Sequence, residues 1–182
     1  MNKPLPEDEG APLRFAPLIV TAALGPEDFA WLDAQRRAYF PPERNQLSAH
    51  LTMFHALPGS VEAEVRRALA REAAAAAPPK AMVGGLLNLG RGVAYRIVSG
   101  ELEHVRRSLA EAFRGLLTAQ DAGGWRPHVT IQNKVEPAAA KALLRELEWA
   151  FQPRPLRIAG LELHRYLGGP WEPLGRWSFR GV

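Results

Sequence analysis

The sequence contains no cysteine, and this absence excludes disulfide bonds, thiolate metal sites and a cysteine nucleophile. Lysine is also scarce, since only 4 of the 23 basic residues are lysines and the other 19 are arginines. No apolar run approaches the roughly 18 residues that a membrane span needs. The first fifteen residues are polar and acidic and lack the apolar segment of a signal peptide, so we expect a cytoplasmic protein without membrane attachment.

What the chain does contain is enough for one folded domain. It has 182 residues, of which 47% are hydrophobic, and at this length about 70% of the unfolded surface can be buried. We predict a single bilobal domain over residues 1–182, with residues 1–14 as a flexible N-terminus, and we expect a monomer. The net charge of +4 permits an anionic partner without requiring one.

Hydrophobic periodicity predicts an alternation of strands and helices. Strands are expected over 16–24, 49–57, 127–135, twice within 80–100 and twice within 154–181. Helices are expected over 25–40, 60–77 (with Ser60 as N-cap), 101–117 and 136–151. The resulting order, β-α-β-α-β-β-α-β-α-β-β, divides into two similar halves. It predicts a pseudo-symmetric α+β fold with two antiparallel sheets flanked by helices.

A short motif occurs once in each half. Residues 48–57 read SAHLTMFHAL and residues 125–135 read WRPHVTIQNKV, so two of the four threonines lie two places after a histidine. With five histidines and four threonines in 182 residues, random order would give roughly 0.1 such triplets. The motif is therefore interpreted as a repeated functional device.

Alternation along a strand places the histidine and the threonine of each motif on one face. In the first strand His50 and Thr52 share their face with Phe54; in the second, the shared face carries His128, Thr130, Gln132 and Lys134. Two such faces across a cleft suit in-line displacement at phosphorus. One neutral imidazole takes a proton from the attacking water or hydroxyl, and the other, protonated, gives one to the leaving oxygen. Threonine hydroxyls donate to the non-bridging oxygens, and no step needs a metal or another cofactor.

The two motifs resemble the paired His-x-Thr/Ser-x motifs of the two-histidine (2H) phosphoesterase superfamily. The sequence RPHVT at 126–130 is most similar to the 2′-5′ RNA ligase, or RNA 2′,3′-cyclic phosphodiesterase, group. The resemblance implies a bilobal fold with a central cleft and one histidine strand in each lobe. It implies His50 and His128 as catalytic residues, Thr52 and Thr130 as phosphate-binding residues, and metal-independent action on 2′,3′-cyclic phosphates.

One departure from the group concerns the position two places past the second threonine, where a basic residue is expected. Gln132 occupies that position and Lys134 comes two places later, so either Lys134 takes the role or the substrate differs. Arg126 is a candidate phosphate contact. Phe54 either stacks on a base or is buried between the lobes, and Trp125, Tyr166 and Trp171 are further stacking candidates. The remaining histidines, His55, His104 and His164, are expected outside the catalytic set, His55 because its strand parity is opposite to that of His50.

Three functions remain open from the sequence. The first is hydrolysis of 2′,3′-cyclic phosphates of RNA ends or small nucleotides to 2′-phosphates, with the reverse 2′-5′ ligation as an alternative direction. The second is a non-catalytic protein that binds RNA ends or nucleotides on the same fold. The third is a metal site that uses His50, His128 and a carboxylate. Which histidine is the acid and which is the base also stays open.

Overall fold

The computed structural model describes residues 13–182, so almost all of the N-terminus predicted to be flexible, residues 1–14, lies outside the described residues. The strands are β1 Leu18–Leu24, β2 Leu51–Leu57, β3 Lys80–Asn88, β4 Val93–Val98, β5 His128–Gln132, β6 Arg154–Tyr166 and β7 Trp171–Ser178. The helices are α1 Pro26–Tyr39, α2 Glu62–Ala75, α3 Gly100–Ala112, α4 Ala119–Ala122 and α5 Pro137–Ala150. The α+β class and the predicted order of strands and major helices are confirmed.

Two helix boundaries differ from the prediction for local reasons. Ser60 does not cap α2, because a 3₁₀ turn over Gly59–Val61 precedes that helix and no side chain caps it. Helix α3 ends at Ala112, and Gly115 soon follows in the left-handed region at φ 82°. The stretch predicted as a loop after it contains the one-turn helix α4, whose cap is the Thr118 side chain. None of the helices within residues 13–182 is long and apolar enough to cross a membrane.

All strand pairings within the described residues are antiparallel, and they join the two predicted sheets into one. The strand order is β2-β1-β6-β3-β4-β5, and β7 also pairs with β6. The long strand β6 links the halves, because its first four residues pair with β3 and its later residues pair with both β1 and β7. The two strands with the His-x-Thr motifs, β2 and β5, are the ends of this path and contact each other.

The apolar faces of both motif strands are fully buried. Leu51 and Met53 of β2, and Val129 and Ile131 of β5, have no exposed surface. Burying a side chain of this size contributes about 1.5–3 kcal/mol. This burial fixes which face of each strand turns toward the core, and it therefore decides where the polar residues of the motifs point.

Candidate active site

The two motif histidines are held by the same local hydrogen bond. His50 lies just before β2 and its Nδ1 is 2.8 Å from the carbonyl oxygen of Ser48. His128 opens β5 and its Nδ1 is 2.7 Å from the carbonyl oxygen of Arg126. Because a carbonyl only accepts, each Nδ1 must carry the hydrogen. Nε2 of each ring is therefore the nitrogen left to accept or donate a proton.

Strand β2 contains a bulge immediately after its threonine. Thr52 lies opposite Thr21 of β1 and Phe54 lies opposite the next residue, Val20, so Met53 is an extra residue in the ladder. A bulge shifts the alternation of all side chains that follow it. Strict alternation therefore does not predict which face of β2 the residues after Thr52 occupy.

Phe54 and His55 exchange their expected places because of this bulge. Phe54 is completely buried, with its ring edge-to-face against Phe113 at a centroid distance of 5.3 Å. The guanidinium of Arg106 lies over the same ring. Of the two alternatives for Phe54, the structure shows burial, and the alternative in which the ring faces the cleft and stacks on a base is wrong. His55, which was expected to point away, lines the cavity beside His50 and Thr52.

Strand β5 has a bulge at the corresponding position. Thr130 lies opposite Ala94 of β4 and Gln132 lies opposite Val93, which leaves Ile131 as the extra residue. Gln132 is 8% exposed, its side-chain carbonyl oxygen has no hydrogen-bond partner among the described residues, and it does not line the cavity. The expectation that Gln132 faces the cleft is therefore also wrong.

Lys134 occupies the other candidate position past the second motif. It lies beyond β5 in the left-handed region at φ 63°, where its backbone N–H donates to Asn133 Oδ1 at 2.8 Å. Both Asn133 and Lys134 line the cavity. Lys134, the residue considered for the basic role, thus lines the cavity, whereas Gln132 does not.

The motifs meet at a cavity of about 410 Å³, within the range of small-molecule sites. His50, Thr52 and Thr130 line it. Among the described residues, its wall also includes three cations and three aromatic side chains but no carboxylate: Arg36, Arg44, Lys134, Phe40, Tyr166 and Trp171. A cavity with this wall favours an anionic ligand.

Three sequence candidates lie beside this cavity rather than in its wall. His128 is half-buried and precedes Thr130 by two residues, and its charge acts on His50. The side chain of Arg126 is exposed and only its carbonyl contacts a motif residue. Trp125 does not line the cavity, and its indole Nε1 donates to the carbonyl oxygen of Thr52 at 3.0 Å.

The electrostatics of His50 differ strongly from the ordinary state of a histidine side chain. Burial lowers the pKa of His50 to about 4, although the Ser48 carbonyl opposes this shift. The positive charges of Arg36, His164 and His128 lower it further. The imidazole packs against the indole of Trp171 at a centroid distance of 4.7 Å, which contributes to its desolvation. His50 is therefore neutral at physiological pH.

Arg36, which the sequence did not single out, connects the two motif strands. It lies on α1 and is 4% exposed. Its Nε donates to Asn45 Oδ1 and to the Leu47 carbonyl, both at 2.8 Å, in the segment that precedes His50. One terminal nitrogen donates to the Thr130 carbonyl at 2.9 Å. Burial lowers the pKa of Arg36, yet a guanidinium keeps its charge.

The other two histidines do not line this cavity. His104 is exposed on α3. His164 lines a second cavity of about 570 Å³, which shares His50 and Trp171 with the first, and its ring lies 5.3 Å from the Trp171 indole. Burial lowers the pKa of His164. Within residues 13–182, no group of three or more histidine, aspartate or glutamate side chains is arranged to hold a metal ion.

Comparison with known proteins identifies the family. A family model of the 2′-5′ RNA ligase superfamily matches residues 24–170, and the chain belongs to this superfamily. None of the curated proteins matches the chain by sequence.

Solved structures share the fold at low sequence identity. The protein TT0787 of Thermus thermophilus superposes with a TM-score of 0.63 at 19% identity, over 91% of this chain and 98% of that one. E. coli LigT in complex with NADP⁺ superposes with a TM-score of 0.59 at 18% identity, over 91% and 99% of the two chains. A crystal structure described as a phosphoesterase gives a TM-score of 0.56 at 20% identity, over 91% and 98%.

Proposed function

We propose that the protein is a metal-independent phosphoesterase that hydrolyses 2′,3′-cyclic phosphates of RNA ends or small nucleotides to 2′-phosphates. The observation that carries this proposal is the matched pair of histidines. Each imidazole is fixed through Nδ1 by the carbonyl two residues earlier, and each precedes a threonine at the same cavity. Two imidazoles with free Nε2 atoms are what acid–base catalysis at one phosphorus atom requires.

In this proposal His50 is the base and His128 is the acid. The low pKa of His50, about 4, keeps its Nε2 unprotonated and able to accept a proton from water. The water oxygen bonds to phosphorus and the bond from phosphorus to O3′ breaks. Nε2 of His128 gives its proton to O3′, and the 2′-phosphate remains. The Thr52 and Thr130 hydroxyls donate to the non-bridging oxygens, where negative charge increases in the transition state.

The surroundings of the pair support a nucleotide as substrate. Three cations and, within the described part of the chain, no carboxylate line the cavity, which suits a phosphate group. The aromatic rings of Tyr166 and Trp171 offer surfaces on which a base can stack. Among proteins of the same fold, E. coli LigT has been crystallised with 3′-AMP, ATP and phosphate.

Product analysis of one reaction tests the proposal. The purified protein is incubated with 2′,3′-cyclic AMP, and the phosphorus species are followed by ³¹P NMR. We expect conversion to 2′-AMP, at a rate that EDTA leaves unchanged because no step uses a metal. Binding of the nucleotide without any phosphomonoester would instead identify a non-catalytic nucleotide-binding protein, and loss of turnover with EDTA would contradict the metal-free mechanism.

A further inference from the structure

A second imidazole, besides that of His50, lines the cavity and is held by a buried carboxylate. The ring Nδ1 of His55 is 2.8 Å from Asp121 Oδ1. The side chain of Asp121 has no exposed surface, whereas that of His55 is 39% exposed. Asp121 accepts this bond through an ionised carboxylate, because hydrogen bonds from His55 and Ala56 keep the pKa of Asp121 low despite its burial. Nδ1 of His55 therefore carries a hydrogen, and Nε2 is the nitrogen directed to the cavity.

The surroundings of Asp121 fix this pair in place. The backbone N–H groups of His55 and Ala56 donate to its carboxylate at 2.9–3.1 Å. Its own backbone N–H is capped by the Thr118 hydroxyl at 3.2 Å, and its carbonyl accepts from Arg106 at 2.6 Å. A buried carboxylate with this many donors positions the imidazole without adjustment when a ligand arrives.

The position of His55 is matched in the second motif. His55 lies three residues after Thr52, and Asn133 lies three residues after Thr130. In both strands the two intervening residues are buried because of the bulge, and the third lines the cavity. Bulges beside active sites characteristically re-aim a side chain in this way. The bulge that buries Phe54 thus also turns the His55 side chain toward the cavity.

His55 lies further along β2 than the residues proposed to hold the first phosphate. It is five positions after His50 and three after Thr52, and all three side chains line the cavity. An extended strand rises about 3.3 Å per residue, so the cavity wall continues past the motif by up to about 10 Å. A ligand that fills this length has room for a second polar group, and a lining without carboxylates among the described residues favours an anionic one.

We propose that His55, held by Asp121, is a further substrate-binding residue that donates from Nε2 to a second phosphate of the substrate. With both nitrogens protonated, the ring bridges the Asp121 carboxylate and this phosphate. The preferred substrate is then a cyclic-phosphate end with a neighbouring phosphate, as in a 5′-phosphorylated nucleotide or an RNA chain, and not a nucleoside with the cyclic phosphate alone. This inference rests on the proposed function for the place of the first phosphate.

Binding of two product-like ligands tests the inference without requiring turnover. Isothermal titration calorimetry at about pH 6 compares adenosine 2′-monophosphate with adenosine 2′,5′-bisphosphate. A charge-assisted hydrogen bond is worth about 1.5–3 kcal/mol, so we expect wild-type protein to bind the bisphosphate roughly 10–100-fold more tightly. His55→Gln reduces this ratio to within about twofold and leaves the affinity for the monophosphate unchanged. His104→Gln, a substitution of an exposed histidine outside the cavity, retains the ratio.

The outcomes separate the two proposals. Equal affinity of wild-type protein for the two ligands, or a ratio that survives His55→Gln, overturns the role of His55. Loss of the ratio in Arg44→Gln but not in His55→Gln also overturns it, because the second phosphate then binds Arg44. His55→Leu, which removes the polar side chain altogether, must agree with His55→Gln. If the ratio behaves as expected but cyclic AMP is never hydrolysed, the second-phosphate site stands and the proposed catalysis fails.

Discussion

At the scale of single residues, the two histidines share an orientation but not an environment. Both donate from Nδ1 to a carbonyl two residues earlier. His50 packs against Trp171, and burial together with the positive charge of Arg36 lowers its pKa to about 4. The two histidines thus have different surroundings, and the proposed assignment of His50 as base and His128 as acid rests on this difference.

The pH dependence of activity follows from this environment. Because the base is active only when deprotonated, we expect the acid limb of kcat/KM to lie near pH 4, well below the ordinary histidine value of about 6.5. Trp171→Ala admits water to the His50 ring, raises its pKa and moves the acid limb upward toward 6.5. Kinetics of cyclic AMP hydrolysis from about pH 3.5 to about pH 8, a range that brackets both values, measure the shift, with stability checked at each pH.

A matched substitution controls for general effects of losing a tryptophan. Trp149 is 91% exposed on α5, so Trp149→Ala leaves the acid limb where it is. An acid limb near the ordinary histidine value in wild-type protein, or one that Trp171→Ala does not move, contradicts the account of how burial tunes His50.

Several residue placements were predictable from the sequence and several were not. The repeated spacing of histidine and threonine indicated His50, Thr52 and Thr130, all of which line one cavity. Strand parity then gave wrong places for Phe54 and Gln132 and excluded His55. Arg36 carries no sequence signal, because its role depends on acceptors 9 to 94 residues away in the chain.

At the scale of elements, the bulges explain why periodicity located the strands but not every side chain. The extra residues are Met53 and Ile131, ordinary apolar residues that give no sign of a bulge. Helices α1, α2 and α5 were predictable because proline, glutamate and apolar spacing mark their starts and faces. Helix α4 was missed because a single turn has no periodicity to detect, although it carries the Asp121 that holds His55.

At the scale of the whole molecule, the buried guanidinium of Arg36 links the segment before β2 to strand β5. Its loss leaves the Thr130 and Leu47 carbonyls without this donor and removes the positive charge beside the buried Asp33. Hydrogen bonds to a charged group are worth about 1.5–3 kcal/mol each when lost, and relief of the cost of burying the guanidinium charge offsets part of their sum. We therefore expect Arg36→Met to lower the free energy of unfolding by about 2–4 kcal/mol and to lower kcat as Thr130 is displaced.

Urea unfolding of two neighbouring variants measures this effect. Arg37 is the adjacent arginine on α1; it pairs with Asp33 but its side chain is 66% exposed. Exposed ion pairs contribute at most about 1 kcal/mol. We therefore expect Arg37→Met to change the free energy of unfolding by no more than about that amount and to keep the wild-type activity. Arg36→Met with wild-type stability and wild-type kcat would show that the link between the halves does not organise the site.

The central claim, that two imidazoles act as base and acid on one phosphorus atom, is tested most directly by the kinetics of His50→Ala and His128→Ala on two substrates. With 2′,3′-cyclic AMP, each variant loses about 10²–10⁴-fold in kcat. With the p-nitrophenyl ester of adenosine 2′-phosphate, whose leaving group needs no proton, His128→Ala recovers most of the rate while His50→Ala does not. Wild-type hydrolysis of the cyclic phosphate by both variants would contradict the account.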